Sequence, residues 1–350
     1  MYFKKIILFL SLLLLSSVLY AKETLIFAID LIRHGDRTPL LVIPKDHPVW
    51  LEGMGQLTAI GMQQEFQRGV TFRKKYIDHF HLLPPHLQNQ TIYIISTDLD
   101  RTLMSAEAVL LGLYPLKTGP LLPGSNKPAL PYAYQPVPIH TKPVDANDLF
   151  ISDFDAAKYH QLLTRYVDSR PDWIQKTKEL QNKFPAWNKA TGLNFTTLHQ
   201  FGALADALDI YQIHHIPFPA GLSAADVKEI IAAGRWAFVT EYQTKEIASI
   251  VGPRLVAAIA DYLQKASQQK TPLKYVLFSA HDSTIMSVMT TLQRPLNAQP
   301  PYASDVNFAL FKADAGDYVV KVNYNGKRVT IPGCDATDCT LAQFMKLAGQ

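Results

Sequence analysis

An apolar stretch near the N-terminus limits the fold of this chain most strongly. The run from Thr24 to Ile32 is apolar throughout apart from Asp30. Such a run is typical of a strand buried on both faces, as in a parallel sheet covered by helices on either side. The chain should therefore contain a central sheet rather than a purely helical core.

Two further short runs repeat this pattern, and a helical pattern follows each of the three. Thr91–Ile95 is rich in β-branched residues, and Tyr275–Phe278 is aromatic and aliphatic. The helical patterns cover Thr58–Tyr76 and Thr102–Leu113, and a third starts near Ser283. Strand followed by helix, repeated, predicts an α/β fold with a mostly parallel sheet flanked by helices.

The middle of the chain has a different character. Pro120–Pro143 is dense in proline and predicts a loop, and Asp153 to about Gln268 has no strand-like alternation. Breaks are expected at Pro171, Pro185, Pro217 to Gly221, and Pro253. We predict a mostly helical cap domain (residues 141–249) inserted into an α/β core formed by residues 22–140 and 250–350.

The C-terminal part predicts antiparallel strands. Asn307–Ile331 has the pattern of such strands around a turn at Asn325-Gly326. Cys334 and Cys339 follow, in a stretch rich in Gly, Asp and Thr. In an exported protein this pair predicts a local disulfide; two free thiols are the alternative, and two cysteines without a nearby His supply too few ligands for a metal.

The N-terminus has the pattern of an export signal. Lys4-Lys5 precedes the apolar run Ile6–Leu15, and Leu19-Tyr20-Ala21 ends in a small residue. We predict a signal peptide at residues 1–21, cleaved after Ala21, and a periplasmic, secreted or lysosomal protein. An uncleaved membrane anchor is the alternative, although the run is short for a full span.

The overall charge gives no reason to expect a polyanionic partner. The 350-residue chain has a formal net charge of +4, of which Lys4 and Lys5 contribute two. Losing both leaves +4 − 2 = +2, which is too small a bias to indicate nucleic acid or a membrane surface as a partner. No stable membrane span is expected after the signal is removed.

Polar clusters follow all three predicted strands. They are Arg33-His34-Gly35-Asp36-Arg37, Ser96 to Thr102, and Ser279-Ala280-His281-Asp282-Ser283. A ligand of an open α/β sheet binds at the carboxyl ends of the strands. We therefore expect six side chains to meet in one cleft: Arg33, His34, Arg37, Arg101, His281 and Asp282.

Local explanations exist for each cluster taken alone. An Arg-His pair after a strand is often a surface turn, Arg101 can pair with Asp98 or Asp100 at a helix start, and His281-Asp282 can be an N-cap. Their recurrence at three strand ends favours function. Three guanidiniums repel one another unless a dianion lies between them, and a phosphate monoester fits.

These residues resemble the histidine acid phosphatase family, in its prostatic and lysosomal branch. Arg33 to Pro39 matches the RHGxRxP signature, and His281-Asp282 matches the second signature dipeptide. The segment Ser96 to Ala106 resembles the part of the family that carries a third phosphate-binding Arg. Further similarity lies at Gly53 to Thr58, at Pro300 to Ser304 and at the C-terminal cysteine pair.

The resemblance implies a phosphoglycerate mutase-like fold and a phosphohistidine mechanism, and it is compatible with a homodimer, since this branch is often dimeric. His34 is the expected nucleophile and Asp282 the expected proton donor, with an acidic pH optimum because the donor must be protonated. The expected phosphate ligands are Arg33, Arg37, Arg101 and His281. No metal or other cofactor is expected, since the guanidiniums supply the positive charge.

Two rival functions remain open from the sequence. One is a phosphotransferase or mutase of the same superfamily, against which the His-Asp dipeptide and the export signal argue. The other is a phosphate-ester binding module that has no turnover, although such a module has no use for both a nucleophile and a proton donor. Because no strongly basic patch occurs in the variable region, broad phosphatase specificity is favoured over a dedicated phytase.

The other histidines and the tryptophans of the middle region have structural explanations. His79, His81 and His86 lie near Pro84-Pro85 without a carboxylate pattern and predict a solvated loop, as does His214-His215. The tryptophans of the middle region, Trp173, Trp187 and Trp236, predict core or interface positions, with one or two at the substrate entrance.

Overall fold

The computed structural model describes residues 23–46, 48–143, 149–151, 155–314, 316–334 and 338–349. The predicted signal peptide, residues 1–21, lies outside this part of the chain. In the described part, no helix combines the length and hydropathy required to span a bilayer.

The centre of the molecule is a seven-stranded mixed sheet. Along the hydrogen-bonded path, the strand order is β2-β3-β1-β4-β5-β6, and β7 pairs with β5. The strands are β1 (Glu23–Arg33), β2 (Ile92–Ser96), β3 (Tyr275–Ala280), β4 (Asp305–Ala313), β5 (Tyr318–Tyr324), β6 (Lys327–Arg328) and β7 (Cys339–Thr340). The three strands predicted from apolar runs are therefore neighbours.

The α/β class and the flanking helices are confirmed, and parallel pairing is confined to these three strands. β3 pairs in parallel with both β1 and β2, whereas β1–β4 and all later pairs are antiparallel. The C-terminal strands join the same sheet because β4 pairs along the whole free edge of β1. The predicted turn connects β5 to β6, and in it Asn325 and Gly326 have φ angles of 47° and 75°.

Eleven helices surround or extend from the sheet in the described residues. They are α1 (Ala59–Arg73), α2 (Asp100–Leu113), α3 (Ala156–Tyr166), α4 (Pro171–Leu180), α5 (Phe184–Thr191), α6 (Leu198–Ile213), α7 (Ala224–Gln243), α8 (Lys245–Ala248), α9 (Gly252–Ser267), α10 (Asp282–Thr291) and α11 (Leu341–Leu347). The helix predicted at Thr58–Tyr76 starts at the Thr58 cap and continues beyond α1 as a π-helical turn, Lys74–His79.

Both faces of β1 are buried, as its apolar run predicts. Phe27, Ile29 and Leu31 belong to a core shared with α9, α10 and α11. Ala28 and Ile32 point to the opposite core, shared with α1 and α2. This alternation follows from the two-residue repeat of a strand.

The described middle of the chain is helical, with a hydrophobic core of its own. Helices α3–α7 pack around the buried Trp173 and Trp187, and Trp236 is half-buried against them, so the tryptophan prediction holds. Prolines 171, 185 and 253 lie in the first turns of α4, α5 and α9. Proline is favoured there because the first helical N–H groups have no partner within the helix.

The predicted disulfide joins Cys334 and Cys339, whose Cα atoms are 4.7 Å apart. Cys339 belongs to β7 and pairs with Val320 of β5. The bridge therefore fastens the C-terminal tail to the antiparallel side of the sheet.

Candidate active site

The ends of the three parallel strands bring the candidate residues to one edge of the sheet. Arg33 is aligned with Ala280 between β1 and β3, and Ser96 is aligned with Ser279 between β2 and β3. The backbone N–H of His34 then donates to Ala280 O, at 3.0 Å. All six predicted side chains line one cavity of about 1200 Å³.

The imidazole of His34 lies buried at the base of this cavity, with 2% exposure. Its Nδ1 lies 2.8 Å from Gly35 O, and because a carbonyl only accepts, Nδ1 is the protonated nitrogen. Burial, and then the charge of Arg33 and the other nearby cations, hold the pKa of His34 well below its usual 6.5. Nε2 therefore carries a free lone pair even in acidic solution.

Gly35 is required by close packing and not by its own backbone conformation. A Cβ on Gly35 would lie 2.4 Å from Gly61 O in α1. The N–H of Gly35 donates to Ser105 Oγ of α2 at 3.2 Å. The loop after β1 is thus wedged between two helices, which fixes His34.

Arg33 is held from three sides. Its NH2 lies 2.8 Å from Asp282 Oδ2, its NH1 donates to Pro300 O, and its guanidinium carbon lies 4.1 Å from the centre of the Tyr302 ring. The Tyr302 ring also lies 5.9 Å from the ring of His34. Tyr302 therefore covers both the first arginine and the histidine.

Arg37 is bound by a carboxylate that the sequence analysis did not identify. NH1 and NH2 of Arg37 each lie 3.0 Å from one oxygen of Asp206, a residue of α6. Burial opposes the charge of Arg37, but Asp206 outweighs burial and raises the pKa of the guanidinium. This bidentate pair joins the helical region to the loop that carries the histidine.

Arg101 has no carboxylate within ion-pair distance in the described part of the chain. It lies in the first turn of α2, and no ion pair joins it to Asp98 or Asp100 in the described residues. Burial, and then repulsion from Arg37, lower the pKa of Arg101 to about 10. A partly buried cation without an ion-pair partner, on a cavity wall, is suited to binding an anion.

His281 is the N-cap residue of α10, and its ring faces His34. The two ring centres are 5.5 Å apart, and Nε2 of His281 lies 3.0 Å from Thr97 Oγ1. Burial, and then the charge of Arg101, lower the pKa of His281 to about 3. His281 is therefore neutral and acts as a hydrogen-bonding group, while Thr97 fixes its orientation.

Asp282 starts α10 and places its carboxyl group in the cavity. Oδ1 accepts from the backbone N–H of Ser283, whereas Oδ2 accepts from Arg33 and from the Gln299 amide, each contact being 2.8 Å. Burial raises the pKa of Asp282, but Arg33, the Gln299 hydrogen bond and other cations outweigh it, and the net pKa is lowered.

The rest of the cavity is formed by the helical region and has both aromatic and charged walls. Trp236, Phe238 and Tyr242 supply the aromatic surface. Arg235 NH2 lies 2.8 Å from both carboxylate oxygens of Asp209, and His199 contacts Glu241. The cations of this wall are therefore neutralised by acids, unlike Arg101.

His214 is not in a solvated loop, which corrects the interpretation from the sequence. Its Nε2 lies 2.7 Å from Asp36 Oδ2, and its ring packs edge-on against Trp50. Asp36 is fully buried and also accepts from Thr58 Oγ1 at 2.5 Å. His214 thus ties the end of α6 to the motif loop, while the adjacent His215 is exposed.

The other histidine cluster is exposed as the sequence predicts, although His79 ends the π-helical turn and only His81 and His86 lie in the loop that follows. His79, His81 and His86 are exposed, and Nδ1 of His81 and of His86 contact the carbonyls of Ile77 and Thr118. Within the described ranges, no group of three or more His, Cys, Asp or Glu side chains forms a candidate metal site.

Comparison with known proteins identifies the family to which this chain is related. The model of the histidine phosphatase superfamily (branch 2) matches residues 24–325. Lysosomal acid phosphatase of Xenopus laevis is 32% identical over 90% of this chain and 74% of its own length. Prostatic acid phosphatase of Bos taurus is 30% identical over 97% of this chain and 89% of its own length.

Several solved structures with the same fold are phytases. The phytase from Klebsiella sp. ASR1 superimposes with a TM-score of 0.69 and 17% identity, over 94% of this chain and 96% of the phytase. The apo phytase from Hafnia alvei superimposes with a TM-score of 0.67 and 17% identity, over 93% of this chain and 96% of the phytase. At this identity the likeness establishes the fold alone. The family match, the sequence relatives and the clustered site together establish that this chain belongs to branch 2 of the histidine phosphatase superfamily, a family of phosphoric monoester hydrolases.

Proposed function

We propose that this chain is an exported, metal-independent acid phosphatase that hydrolyses phosphate monoesters through a phosphohistidine on His34. The observation that carries the proposal is a buried, neutral imidazole among three guanidiniums, with a carboxyl group on the facing helix. The guanidiniums match a dianion, the imidazole is a nucleophile, and the carboxyl group can carry a proton.

The phosphoryl group binds between Arg33, Arg37 and Arg101, with His281 as a neutral donor. Arg101 supports this placement most directly, because burial without a partner leaves its hydrogen-bond donors available. Transition-state charge develops on the phosphoryl oxygens, and fixed donors in a partly enclosed site stabilise it without reorganisation. The same groups hold the phosphorus in line with Nε2 of His34.

In the first step, Nε2 of His34 forms a bond to phosphorus while the bond from phosphorus to the alcohol oxygen breaks. The departing oxygen takes the proton of Asp282, and the neutral alcohol leaves. The Nδ1–H bond to Gly35 O stabilises the positive charge that the ring acquires. The product is a phosphohistidine facing the ionised Asp282.

In the second step, water attacks the phosphorus and the nitrogen–phosphorus bond breaks. Asp282 accepts a proton from the water, so the donor of the first step is the base of the second. Inorganic phosphate leaves, and both His34 and Asp282 return to their starting protonation states.

Substrate binding is expected to prepare the proton donor. In the ligand-free site Arg33 favours the ionised form of Asp282. When a phosphoryl dianion draws Arg33 away, Asp282 loses this cation and gains a nearby negative charge, and both changes raise its pKa. Acidic solution is still required, which accounts for the acid optimum.

The leaving-group side of the cavity favours broad specificity. Aromatic surface from α7 accepts varied alcohols without directional bonds, and its neighbouring cations are already paired with Asp209 and Glu241. A substrate with several phosphate groups needs further unpaired cations. We therefore favour a general monoesterase over a dedicated phytase.

We further propose that residues 141–249 act as a cap on an α/β core formed by residues 22–140 and 250–350. The Arg37–Asp206 pair and the Asp36–His214 contact support this, since both join α6 to the loop after β1. The lysosomal and prostatic names of the relatives support export or lysosomal placement.

The deciding experiment is hydrolysis of an aryl phosphate and an alkyl phosphate from pH 4 to 8 with excess chelator. His34→Ala should abolish turnover of both, and Asp282→Asn should impair the alkyl ester more, because its alkoxide is the poorer leaving group. Alkaline quenching of Asp282→Asn with the aryl ester should trap a phosphohistidine detectable by mass spectrometry, because the phosphorus–nitrogen bond hydrolyses in acid but survives in alkali.

Several outcomes would contradict the proposal. Turnover surviving in His34→Ala would exclude this nucleophile, and loss on chelation would exclude a metal-independent enzyme. Stoichiometric binding without turnover would indicate a binding module. Complete phosphoryl transfer to an added alcohol, without release of inorganic phosphate, would indicate a transferase.

A further inference from the structure

Gln299 is a polar contact of the Asp282 carboxyl group for which the family signatures give no role. Its Nε2 donates to Asp282 Oδ2 at 2.8 Å, the same oxygen that Arg33 contacts. Oδ1 is occupied by the backbone N–H of Ser283. Oδ2, which has only side-chain donors, is therefore the oxygen whose partners can change, and Gln299 is one of these donors.

The segment that carries Gln299 is fixed at the rim of the cavity. Gln243 Nε2 donates to Leu296 O at 2.9 Å and to Asn297 Oδ1 at 3.2 Å. On the other side, Pro300 O accepts from Arg33, and Pro301 follows it. Anchoring on both sides, together with the fixed φ of two prolines, holds the Gln299 side chain over Asp282.

Arg33 and Gln299 differ in what happens to them during turnover. Arg33 is one of the phosphate ligands in the proposed function, so a bound phosphoryl group competes with Asp282 for its guanidinium. Gln299 is neutral and attracts a phosphate far less strongly. It therefore remains as the side-chain donor to Asp282 when the proton must be transferred.

The charged and titratable groups around Asp282 come from several elements. They are Arg33 at the end of β1, Arg37 in the loop that follows, Arg101 of α2, and His281 at the start of α10, whose ring faces that of His34. In the bound state the phosphate offsets the cations, and both histidines have depressed pKa values. The Gln299 amide then has a larger share in setting the protonation of Asp282.

Resting on the proposed function, we propose that Gln299 is a positioning residue for the proton donor: its amide holds the Asp282 carboxyl group in the cavity and confines proton donation to acidic solution. A donor to the ionised form stabilises that form, so the carboxyl group loses its proton at lower pH. The consequence is a stronger acid toward the leaving alcohol, and an earlier loss of activity as pH rises.

The test is the pH dependence of kcat in a charge series at this position, measured on an alkyl phosphate. In Gln299→Leu, the fall of kcat at high pH should move up by about one pH unit, since the ionised Asp282 loses a hydrogen bond. Gln299→Glu should move it up further, because two carboxyl groups repel. Gln299→Lys should move it down.

An aryl phosphate with a good leaving group provides the internal comparison, because it needs little proton donation. Its fall of kcat at high pH should move less than that of the alkyl ester in every variant. The inhibition constant of inorganic phosphate at pH 5 should change less in Gln299→Leu than in Arg101→Gln. Gln175→Leu, on the exposed face of α4, is the matched control for the loss of an amide.

Shifts in opposite directions for Glu and Lys support the proposal, since a purely structural role gives a uniform loss at all pH values. If the pH dependence of kcat is unchanged in the variants, or if both esters lose kcat equally, the proposal is overturned. Asp282→Asn separates this outcome from failure of the proposed function. If that variant keeps its alkyl phosphatase activity, Asp282 is not the donor; if it loses it while the Gln299 series shows no shift, only the role of Gln299 is wrong.

Discussion

Replacing Arg101 by Gln should stabilise the free protein while disabling it. The guanidinium is largely buried, repelled by Arg37 and without an ion-pair partner in the described chain, which lowers its pKa to about 10 from the ordinary 12.5. At 1.36 kcal/mol for each pKa unit, the folded state opposes this charge by about 3 kcal/mol. Removing the charge should recover this free energy, but the loss of packing by the arginine methylene groups offsets part of it.

The expected increase in the free energy of unfolding is therefore about 1–3 kcal/mol at pH 7 without phosphate. Activity should change in the opposite direction. Losing charge-assisted bonds to the phosphoryl oxygens should reduce kcat/KM by about 100-fold, since such bonds contribute about 1.5–3 kcal/mol each.

The assay combines urea denaturation, with and without inorganic phosphate, and steady-state hydrolysis of an aryl phosphate. Phosphate should stabilise the wild type much more than Arg101→Gln, because stabilisation by a ligand increases with the ratio of its concentration to its Kd, and the variant binds phosphate more weakly. Arg235→Gln, at a cavity arginine already paired with Asp209, is the matched control and should not gain stability. A destabilised Arg101→Gln with unchanged kcat/KM would refute the reasoning.

Three further predictions follow from described contacts. Burial lowers the pKa of His199, but its bonds to Glu241 and a second carboxylate outweigh burial and raise the pKa above 6.5. The contribution of protonated His199 to the stability of the fold is therefore complete below pH 6.5 and disappears as pH rises through the raised pKa. His199→Gln should lower the urea midpoint at pH 5 and leave it nearly unchanged at pH 9. His214→Ala leaves the buried carboxylate of Asp36 with one side-chain donor fewer, and should cost about 1–3 kcal/mol by urea denaturation together with a lower kcat. Cys334→Ser opens a loop with a sequence separation of 5 and should cost at most about 2 kcal/mol in thermal unfolding with kcat unchanged; loss of activity would show that the tail supports the site.

The sequence by itself predicted the side chains that cluster at the strand ends, because strand ends are local signals. Each of the three apolar runs is followed directly by its polar cluster, so predicting the strands also predicted where Arg33, Arg101 and His281 project. Parallel strands place their carboxyl ends at one edge, and the observed register of β1 with β3 does so. Proximity in the chain and proximity in space coincide here.

The partners of these residues were decided by the tertiary structure. Asp206 lies 169 positions from Arg37 in the chain, and His214 lies 178 positions from Asp36. No local periodicity marks one acid of an amphipathic helix as the one that faces an arginine. His214, for that reason, was placed in a solvated loop from the sequence alone.

The protonation states also required the fold. The sequence supplies imidazoles and carboxyl groups with ordinary pKa values; burial and the convergence of cations lower the pKa of His34 and of His281. Residue types in the motif thus determined which chemistry is available. Desolvation, and charges brought together from distant segments, decided which groups are neutral, which are paired and which remain free for a substrate.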